Sequence, residues 1–500
     1  MNCTPARLPI LRWSSVWFLL VFLLAPTMAW AEKTDLYRSI ESRNDEMWQS
    51  ACQIWQWAEP GYQEHKSSQL LQEMLAKAGF KIERGVAAMP TAFTATFGQG
   101  KPVIAILGEY DALPGLSQSA APAREPVVAG GYGHGCGHHL FGVASASAAM
   151  AIAEQIRQGS IQGTIRFYGC PAEEGGSAKV FLVLAGLFED CDAAIHWHPG
   201  DRNSAGDRSS LARMAVKFRF HGKSAHAAGS PEQGRSALDA VEITNHAAEL
   251  LREHVPDATR IHHVITAGGN APNVVPDFAE VYFYVRHPKS EVVNGVYRRL
   301  VLCAQAGALA TETKLETEFE GGIKEILSNQ TLANVTLENL RRLNDLKVSE
   351  EDIQFAARLQ QTIEKPKPLD SVKDVEHRIG GAGMGSTDVG DVSWVVPTTG
   401  FSTACFIPGV PGHSWQAVAS GRTTLARNGM NLAARVLAAT AWDLYKNADT
   451  LKAAKEELRR RLGKEKYQTL MVPGQKPPLE YRNATKAFGA ATDAGSGGGR

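Results

Sequence analysis

The chain has 500 residues, of which 44% are hydrophobic and 21% charged, a composition typical of a globular protein with roughly two to four domains. Fibrous and intrinsically disordered classes are therefore excluded. The 52 Lys and Arg residues balance the 52 Asp and Glu residues, so no basic field exists to attract a phosphate backbone or an anionic membrane, and we expect no nucleic-acid partner.

The first predicted element is an apolar run near the N-terminus. Residues 16–25 read VWFLLVFLLA, two arginines precede them, and Ala29 and Ala31 provide the small residues that a signal peptidase recognises. We therefore predict that residues 1–31 are a cleaved secretory signal. The mature protein would be exported, to the periplasm or the medium, without membrane attachment. An uncleaved, tilted anchor remains an alternative, although the run is shorter than the roughly 20 residues of a membrane span.

The cysteines do not form the dense pattern of a disulfide scaffold. Cys3 lies in the predicted signal, and the other six are widely spaced in a chain long enough to build its own core. In an exported protein one or two disulfide bridges remain possible, but the sequence does not give their connectivity.

From about residue 51 to residue 200, helical patterns alternate with short apolar runs. A serine cap and a terminal glycine bound a predicted helix over 67–79. Strands are predicted at 103–107, 164–168 and 193–197, and helices at 140–156 and 178–187. This alternation predicts an α/β domain with a largely parallel sheet and helices on both faces, whose functional loops follow the carboxyl ends of the strands.

Residues 209–320 follow a different order, which predicts an inserted α+β domain of the ferredoxin-like type. The pattern is strand (214–220), helix (236–254), two strands (261–266 and 278–285), helix (292–310) and strand (313–318). We call residues 209–320 the lid. Helical patterns in 328–363, a strand at 401–407 and a helix at 423–446 would complete the first domain. The predicted catalytic domain thus comprises 32–208 and 321–471, followed by an extension, 472–500, whose end (493–500) we expect to be disordered.

The densest cluster of chemically active side chains is the stretch GYGHGCGHH, residues 131–139. Cys136 and His138 are two residues apart on a glycine-rich turn before a predicted helix, so both can face one metal ion, and Gly137 permits the backbone conformation that this requires. A buried cysteine beside a hydrogen-bonded histidine is the alternative for either residue alone, but the cluster favours a metal site.

Two adjacent carboxylates, Glu173 and Glu174, follow the predicted strand at 164–168 and precede two glycines. Adjacent side chains diverge, so one can bind a metal ion while the other accepts a proton from water and passes it to a leaving group. An exposed acidic turn is the usual interpretation of such a pair. The apolar strand before it and the glycines after it argue against that interpretation.

Three histidines lie at the ends of other apolar runs. His196 and His198 belong to the segment DAAIHWHP (192–199), where either could bind a metal ion and the other line a pocket, and His413 follows the predicted strand at 401–407. One of His196 and His198, together with His413, Cys136, His138 and Glu174, makes five donors. A closed structural zinc site needs four, whereas five donors plus a free Glu173 suit a site with two metal ions.

These motifs resemble the dinuclear metal-dependent amidohydrolases and carboxypeptidases of the aminoacylase superfamily, peptidase family M20. The stretch CGH at 136–138 is similar to the hippurate hydrolase-like branch, in which a cysteine replaces the usual carboxylate ligand. The stretches GEYDALPG (108–115), WHP (197–199), GSTDVG (385–390) and GHSW (412–415) resemble the aminobenzoyl-glutamate subgroup of that branch. The resemblance covers about residues 43 to 471.

The resemblance implies a role for each matched residue. Cys136, His138, Glu174 and His413 would be metal ligands, and Glu173 the general base. The family's spacing from an Asp-Ala pair selects His198 as the fifth ligand, although the spacing from the proline would select His196. Asp111 would orient a metal-bound histidine, and His139, where the branch usually has aspartate, would either act similarly or only pack.

In the lid, the stretch GKSAHAA (222–228) resembles the family motif whose histidine reaches the active site of a partner subunit. The resemblance therefore implies that His226 stabilises the oxyanion in a dimer, and that Asn273 and Arg286 hold substrate. Arginine suits this task because its guanidinium binds a carboxylate with two parallel hydrogen bonds. A surface strand end and a turn cap are the alternatives for Arg286 and Asn273.

The function implied is hydrolysis of the amide in N-acyl or aroyl amino acids, such as p-aminobenzoyl-glutamate, or in dipeptides. The cofactors would be two divalent metal ions per subunit, zinc or manganese, and the protein would form a homodimer or pair with a related subunit. Two other hypotheses are a metal-binding, non-hydrolytic partner subunit and a periplasmic solute-binding protein. Intact Glu173 and the full donor set argue against both.

Overall fold

The computed structural model describes Met1 and residues 33–482. The predicted signal peptide therefore lies, apart from Met1, outside the described residues, as does the predicted disordered end at 493–500. Within the described part of the chain, no helix is both long enough and apolar enough to cross a membrane.

Strands and helices are numbered along the chain. The strands are β1 (Lys81–Arg84), β2 (Phe93–Gln99), β3 (Val103–Glu109), β4 (Gly163–Cys170), β5 (Ala193–Gly200), β6 (Asn203–Gly206), β7 (Ala212–His221), β8 (Arg260–Ala267), β9 (Phe278–His287), β10 (Lys314–Ile323), β11 (Val375–Arg378) and β12 (Thr398–Ala404). The helices are α1 (33–42), α2 (Asn44–Trp57), α3 (His65–Lys77), α4 (His138–Arg157), α5 (Ala178–Leu184), α6 (Ala237–Leu251), α7 (Ser290–Thr311), α8 (Gln330–Leu343), α9 (Glu350–Leu359), α10 (Val389–Ser393), α11 (Trp415–Ser420), α12 (Thr424–Lys446) and α13 (Ala448–Leu462).

The larger sheet has the strand order β1-β2-β4-β3-β5-β12-β6-β11. Its four central strands, β4, β3, β5 and β12, run parallel, which confirms the predicted α/β class. Helices cover both faces. Trp197 of β5 faces α4, where its indole N–H donates to the Phe141 carbonyl oxygen at 3.2 Å, whereas Ala194 of the same strand packs in the second core with Val180 of α5 and Val392 of α10.

The smaller sheet is antiparallel, with the order β10-β7-β9-β8. Helices α6 and α7 pack on it, and their apolar side chains form a separate core with Phe218 and Phe283. The chain order is β-α-β-β-α-β, so the predicted ferredoxin-like fold of the lid is confirmed. Strand β10 runs to Ile323, three residues past the predicted limit of the lid; the exact domain limits remain predictions.

Three details of the predicted elements are wrong. No strands were expected at 81–84 and 93–99, where β1 and β2 form an antiparallel edge. Ser67 does not cap α3, which begins at His65; the Glu59 carboxylate instead accepts hydrogen bonds from the amide N–H and the hydroxyl of Ser67. The last central strand ends at Ala404 rather than residue 407, because residues 405–407 are buried in a turn and their apolarity reports burial, not strand pairing.

The cysteines within the described residues are all unpaired. Cys170 and Cys405 are buried, and the others are partly exposed. The disulfide bridges that the sequence left possible are thus not part of this fold.

Close contact between α12 and β12 gives a test of the packing. An ideal Cβ on Gly429 would lie 2.3 Å from the Ala404 carbonyl oxygen and 2.7 Å from the Cys405 Sγ, whereas one on Gly295 of α7 would meet no atom within 4 Å. We expect Gly429→Ala to lower the free energy of unfolding by about 1–3 kcal/mol through overpacking. Gly295→Ala, the matched control, should raise it by about 0.5–1 kcal/mol through helix propensity. Denaturant unfolding followed by circular dichroism measures both, and equal effects would contradict the packing described.

Candidate metal centre

The predicted ligands converge because they follow the carboxyl ends of adjacent parallel strands. Glu109 ends β3, Glu173 and Glu174 follow β4, His198 lies near the end of β5, and His413 belongs to the loop after β12. In a parallel sheet these ends share one edge, which is where α/β domains bind ligands.

Cys136 and His138 reach the same edge from the turn that starts α4. Gly137 is the residue before the helix and has φ = +81°, the left-handed region. A Cβ at this position would also lie 2.8 Å from the Pro199 Cβ. Glycine is therefore required both by conformation and by space, as the sequence predicted.

Two groups of potential ligand atoms share Cys136. One comprises Cys136, His138 and His198, the other Cys136, Glu174 and His413, and within each group the ligand atoms lie within 4.8 Å of one another. The Cys136 Sγ is 3.3 Å from the His198 Nε2, and the His413 Nε2 is 3.3 Å from the Glu174 Oε1. All five predicted donors thus meet in one cluster with room for two adjacent cations.

Two of the donor atoms also lack hydrogen-bond partners. The His138 Nε2 and the Glu174 Oε1 are buried and form no hydrogen bond within the described residues. Leaving such atoms unpaired costs about 1–3 kcal/mol each, whereas coordination by a cation satisfies them. One thiolate, imidazole nitrogens and a carboxylate oxygen form a donor set suited to borderline divalent ions. The residues present therefore fit a two-metal centre.

Asp111 lies behind the ligands and orients two of them. Its Oδ1 is 2.8 Å from the His138 Nδ1, and its Oδ2 accepts the Glu174 backbone N–H at 2.9 Å. Burial alone would raise the pKa of Asp111, but His138 and the Glu174 amide lower it below its ordinary value. The carboxylate therefore stays ionised and fixes the His138 tautomer so that Nε2 faces the cluster.

His198 presents its Nε2 in the same way. Its Nδ1–H donates to the Pro199 carbonyl oxygen at 2.7 Å, which leaves Nε2 as an acceptor towards Cys136. His196, the other candidate, belongs to no ligand group among the described residues, and its ring packs against Gly400 of β12. His139 packs: it is fully buried, and its Nε2 lies 3.0 Å from the Gly421 carbonyl oxygen.

Glu173 lies beside the ligand cluster and is partly exposed to the cleft. Burial, followed by the negative charges of Glu109 and Glu174, raises its pKa well above the ordinary value. Two non-glycine residues with positive φ, Ala172 (+53°) and Ser177 (+57°), bracket its turn. Such strain persists only where surrounding contacts hold the backbone, and it is concentrated at functional sites.

Sequence reasoning gave no role to Glu109 and missed a buried cation, Lys179. The Glu109 Oε2 is 3.1 Å from the His138 Nε2, without the geometry of a hydrogen bond, and its Oε1 is 2.7 Å from the Lys179 Nζ. Lys179 also binds the Asp388 Oδ1 at 2.6 Å, and all three side chains are at most 2% exposed. Asp388 belongs to the quoted GSTDVG motif; Lys179 follows a predicted loop at the start of α5, and no sequence signal marked it as buried.

The predicted lid residues do not all reach the cluster. His226 and Asn273 are exposed and neighbour each other, since the Ala227 N–H donates to the Asn273 carbonyl oxygen at 3.0 Å. Within the described residues, no hydrogen bond or ion pair joins either one to a ligand. Arg286, by contrast, faces the catalytic domain and donates to the Ser386 Oγ at 3.2 Å.

A parallel-sheet domain with two ligand groups around one shared thiolate, next to an inserted lid, defines a metal-dependent hydrolase. The comparisons with known proteins give the family. Residues 105–441 match the model of peptidase family M20/M25/M40, and the chain belongs to this family. The predicted resemblance and the predicted enzyme class are thereby confirmed, and a solute-binding protein is excluded.

Among the similar proteins, one of the subunits of p-aminobenzoyl-glutamate hydrolase from Escherichia coli is 39% identical over 455 residues, which cover 85% of this chain and 95% of that protein. The Xaa-Arg dipeptidase of Mus musculus is 27% identical over 82% of this chain and 88% of its own. An M20 dinuclear metal-binding peptidase from Bacillus subtilis shares the fold, with a TM-score of 0.54 and 18% identity over 81% of this chain and 99% of its own.

The Lys179 ion pairs can be tested by substitution. Lys179→Met leaves Glu109 and Asp388 buried without a counter-charge, so we expect the free energy of unfolding to fall by about 3–5 kcal/mol. The matched control is Lys81→Met, which removes an exposed pair with Glu83 and should cost at most about 1 kcal/mol. Denaturant unfolding measures both variants; a loss with Lys179→Met no larger than that with Lys81→Met would contradict the stabilising role of the buried ion pairs.

Proposed function

We propose that this protein hydrolyses the amide bond between an acyl or aroyl group and an amino acid. The observation that carries the proposal is the sharing of Cys136 by two ligand groups, with Glu173 next to the shared ligand His138, because this arrangement combines two cation positions with a carboxylate outside both groups. When bound, the two cations would polarise the scissile carbonyl group and acidify a water molecule.

The remaining steps belong to residues of the chain. Glu173 takes a proton from water and delivers it to the leaving nitrogen; burial and the neighbouring acidic groups raise its pKa above the ordinary value, which favours its holding the proton between the two transfers. Cys136, His138, Glu174, His198 and His413 hold the cations, and Asp111 fixes two of these ligands. Thiolate and imidazole donors favour zinc, and carboxylate donors suit manganese, so either ion fits the site.

The substrates of the relatives support the choice of reaction. The names of two of them specify p-aminobenzoyl-glutamate and an Xaa-Arg dipeptide, both amides of an amino acid. We propose substrates of the same kind for this chain, with Arg286 binding the carboxylate of the amino acid. A panel of p-aminobenzoyl-glutamate, N-acyl amino acids and dipeptides, tested with zinc-loaded and manganese-loaded protein, examines this directly, and no turnover of any of them would refute it.

His226 would act in the site of a second subunit. Its Nδ1 accepts N–H bonds from Ala228 (3.2 Å) and Gly229 (3.0 Å), so the neutral ring carries its proton on Nε2 and can donate to an oxyanion. Its exposure and its distance in sequence from every ligand favour a role in a partner subunit. An edge strand, β8, with exposed Val264 and Ile265, offers a surface for such a partner, which would be a second copy of this chain or a related subunit.

Export remains part of the proposal and rests on residues 1–31 alone. After cleavage the protein would act in the periplasm or the medium without membrane attachment. The N-terminal sequence of the mature protein, determined after expression in a bacterial host, tests this point.

One variant can distinguish the role of the metal ions from the role of the general base. We expect about two divalent ions per chain by elemental analysis and loss of activity with chelators. Glu173→Gln should keep both ions but lower kcat by about 10²-fold or more, because it removes the proton carrier and leaves the donors intact. One tightly held ion would contradict the two-metal site, and unchanged turnover would assign the base to another residue.

Action in the partner subunit predicts complementation. His226→Ala alone should lower kcat by about 10²- to 10³-fold through loss of an oxyanion donor. Mixing it with Glu173→Gln should restore part of the activity, since at most about a quarter of the sites would then contain both intact residues. Activity before and after exchange of subunits is the measurement. No recovery after verified exchange would contradict the role in the partner subunit.

A further inference from the structure

Three arginines meet at the junction of the lid, the Glu173–Glu174 turn and the C-terminal extension. Arg213 lies on β7, Arg286 on β9 and Arg482 in the extension. Arg213 and Arg286 are direct partners in the register of the two strands, so their side chains leave the same face of the sheet side by side.

Two of these arginines contact the turn that carries the carboxylates. The Arg482 Nη2 donates to the Glu174 carbonyl oxygen at 2.6 Å, and the Arg213 Nη2 donates to the Ser177 Oγ at 3.4 Å. The guanidinium groups therefore face the reaction centre from the lid side and from the extension.

Tyr284 connects the group. The Cζ atoms of Arg213 and Arg286 lie 4.8 Å and 5.4 Å from the centroid of its ring. Burial alone would raise the pKa of the Tyr284 hydroxyl, but the charge of Arg213, the hydrogen bond with Tyr282 and the charges of Arg286 and Arg482 lower it. The surroundings of this tyrosine are therefore strongly positive.

Within residues 33–482, Glu173 and Asp111 act on Arg286 and Arg482 only from beyond the distance of an ion pair. Among the described residues, none of the three arginines forms a salt bridge, and the Nε atom of each is buried without a hydrogen-bond partner. Like charges on directly opposed residues of two strands destabilise a sheet, and a buried cation without a counter-ion costs still more. An anionic ligand with more than one negative charge would satisfy all three.

The extension holds Arg482 in place through its neighbour Tyr481. The ring of Tyr481 packs edge-on against Tyr62, with centroids 5.8 Å apart. Its hydroxyl lies so near Gly61 that a Cβ there would come within 2.2 Å of it. The Tyr132 hydroxyl donates to the Arg482 carbonyl oxygen at 3.4 Å.

We propose that Arg213 and Arg482 bind a second carboxylate, on the side chain of the amino acid, while Arg286 binds the first. The two residues would thus determine specificity for N-acyl derivatives of acidic amino acids, with the extension supplying one of them. A guanidinium pairs with a carboxylate through two parallel hydrogen bonds, which an uncharged amide in the same position cannot match. This inference rests on the proposed function for the reaction, but the binding of the second carboxylate can be measured separately.

The test compares two substrates that differ only in that carboxylate, p-aminobenzoyl-L-glutamate and p-aminobenzoyl-L-glutamine. We expect the metal-loaded enzyme to prefer the first by about 10- to 100-fold in kcat/KM. Arg482→Met should raise KM for the glutamate substrate by a similar factor and should lower kcat/KM for the glutamine substrate by a clearly smaller factor. Arg482→Lys, which keeps the charge, should give a KM for the glutamate substrate between those of the unaltered enzyme and Arg482→Met. The matched control is Arg460→Met on the exposed face of α13, which should change neither value.

Calorimetric titration of the same proteins with L-glutamate and L-glutamine gives a readout that needs no turnover. Glutamate should bind about 10- to 100-fold more tightly than glutamine, and Arg482→Met should abolish the difference. The proposal would be overturned if Arg482→Met lowered kcat/KM equally for both substrates, or if it lowered neither value. Equal affinity of the unaltered protein for glutamate and glutamine would also overturn it. Preferential binding of glutamate without hydrolysis of any N-acyl amino acid would instead refute the proposed function and leave the arginine site standing.

Discussion

The ion pairs of Lys179 connect the parts of the molecule that must act together. One ammonium group, fully buried, lies between a carboxylate at the end of β3 and another at the start of α10. Glu109 in turn lies against His138, and Asp388 belongs to the loop whose Ser386 accepts a hydrogen bond from Arg286. The ligand cluster and the contact with the lid thus depend on the same cation, because its loss would leave both carboxyl groups buried without a counter-charge.

The site combines two regions of opposite charge, although the chain as a whole has no net charge. The strand ends of the catalytic domain contribute buried acids, which require cations. The lid and the extension contribute arginines, which require an anion. A substrate amide placed between them would have its carbonyl group on the acidic, cation-binding side and its carboxylates on the basic side. The orientation of substrate therefore follows from electrostatics before any shape complementarity is considered.

The sequence predicted the fold class, and it selected side chains that the structure brings together, where local patterns carry the information. Cys136, His138, Glu174, His198 and His413 each stand next to an apolar run that became a strand or a helix, and the topology of a parallel sheet then brings such positions together. The spacing alone could not choose between His196 and His198, since both lie on one face of β5. The choice depends on which imidazole reaches Cys136, and that is a property of the assembled sheet.

The sequence could not predict contacts between segments that are distant in the chain, because no periodic pattern marks such contacts. Lys179 looks like an ordinary charge at a helix start, and only packing against two other segments makes it buried. Arg482 lies in an extension that has neither helical nor strand periodicity, so no pattern linked it to the turn of Glu174. The predicted end of β12 was wrong because the apolar run continues into a buried turn. A buried turn and a buried strand can both be apolar, so the sequence alone does not distinguish them.

The interruption of the catalytic domain by the lid has a consequence for synthesis. The ribosome completes β3, β4 and β5, with Cys136, His138, Glu174 and His198, before it starts the lid, but His413 emerges only after the lid is finished, and Arg482 emerges later still. A nascent chain that has just reached the lid therefore carries four of the five proposed ligands and none of the three arginines. The proposed site is therefore complete only when the last central strand has joined the sheet and the extension lies against Tyr62. A fragment that ends before His413 would lack one of the five proposed ligands, however well its first half had folded.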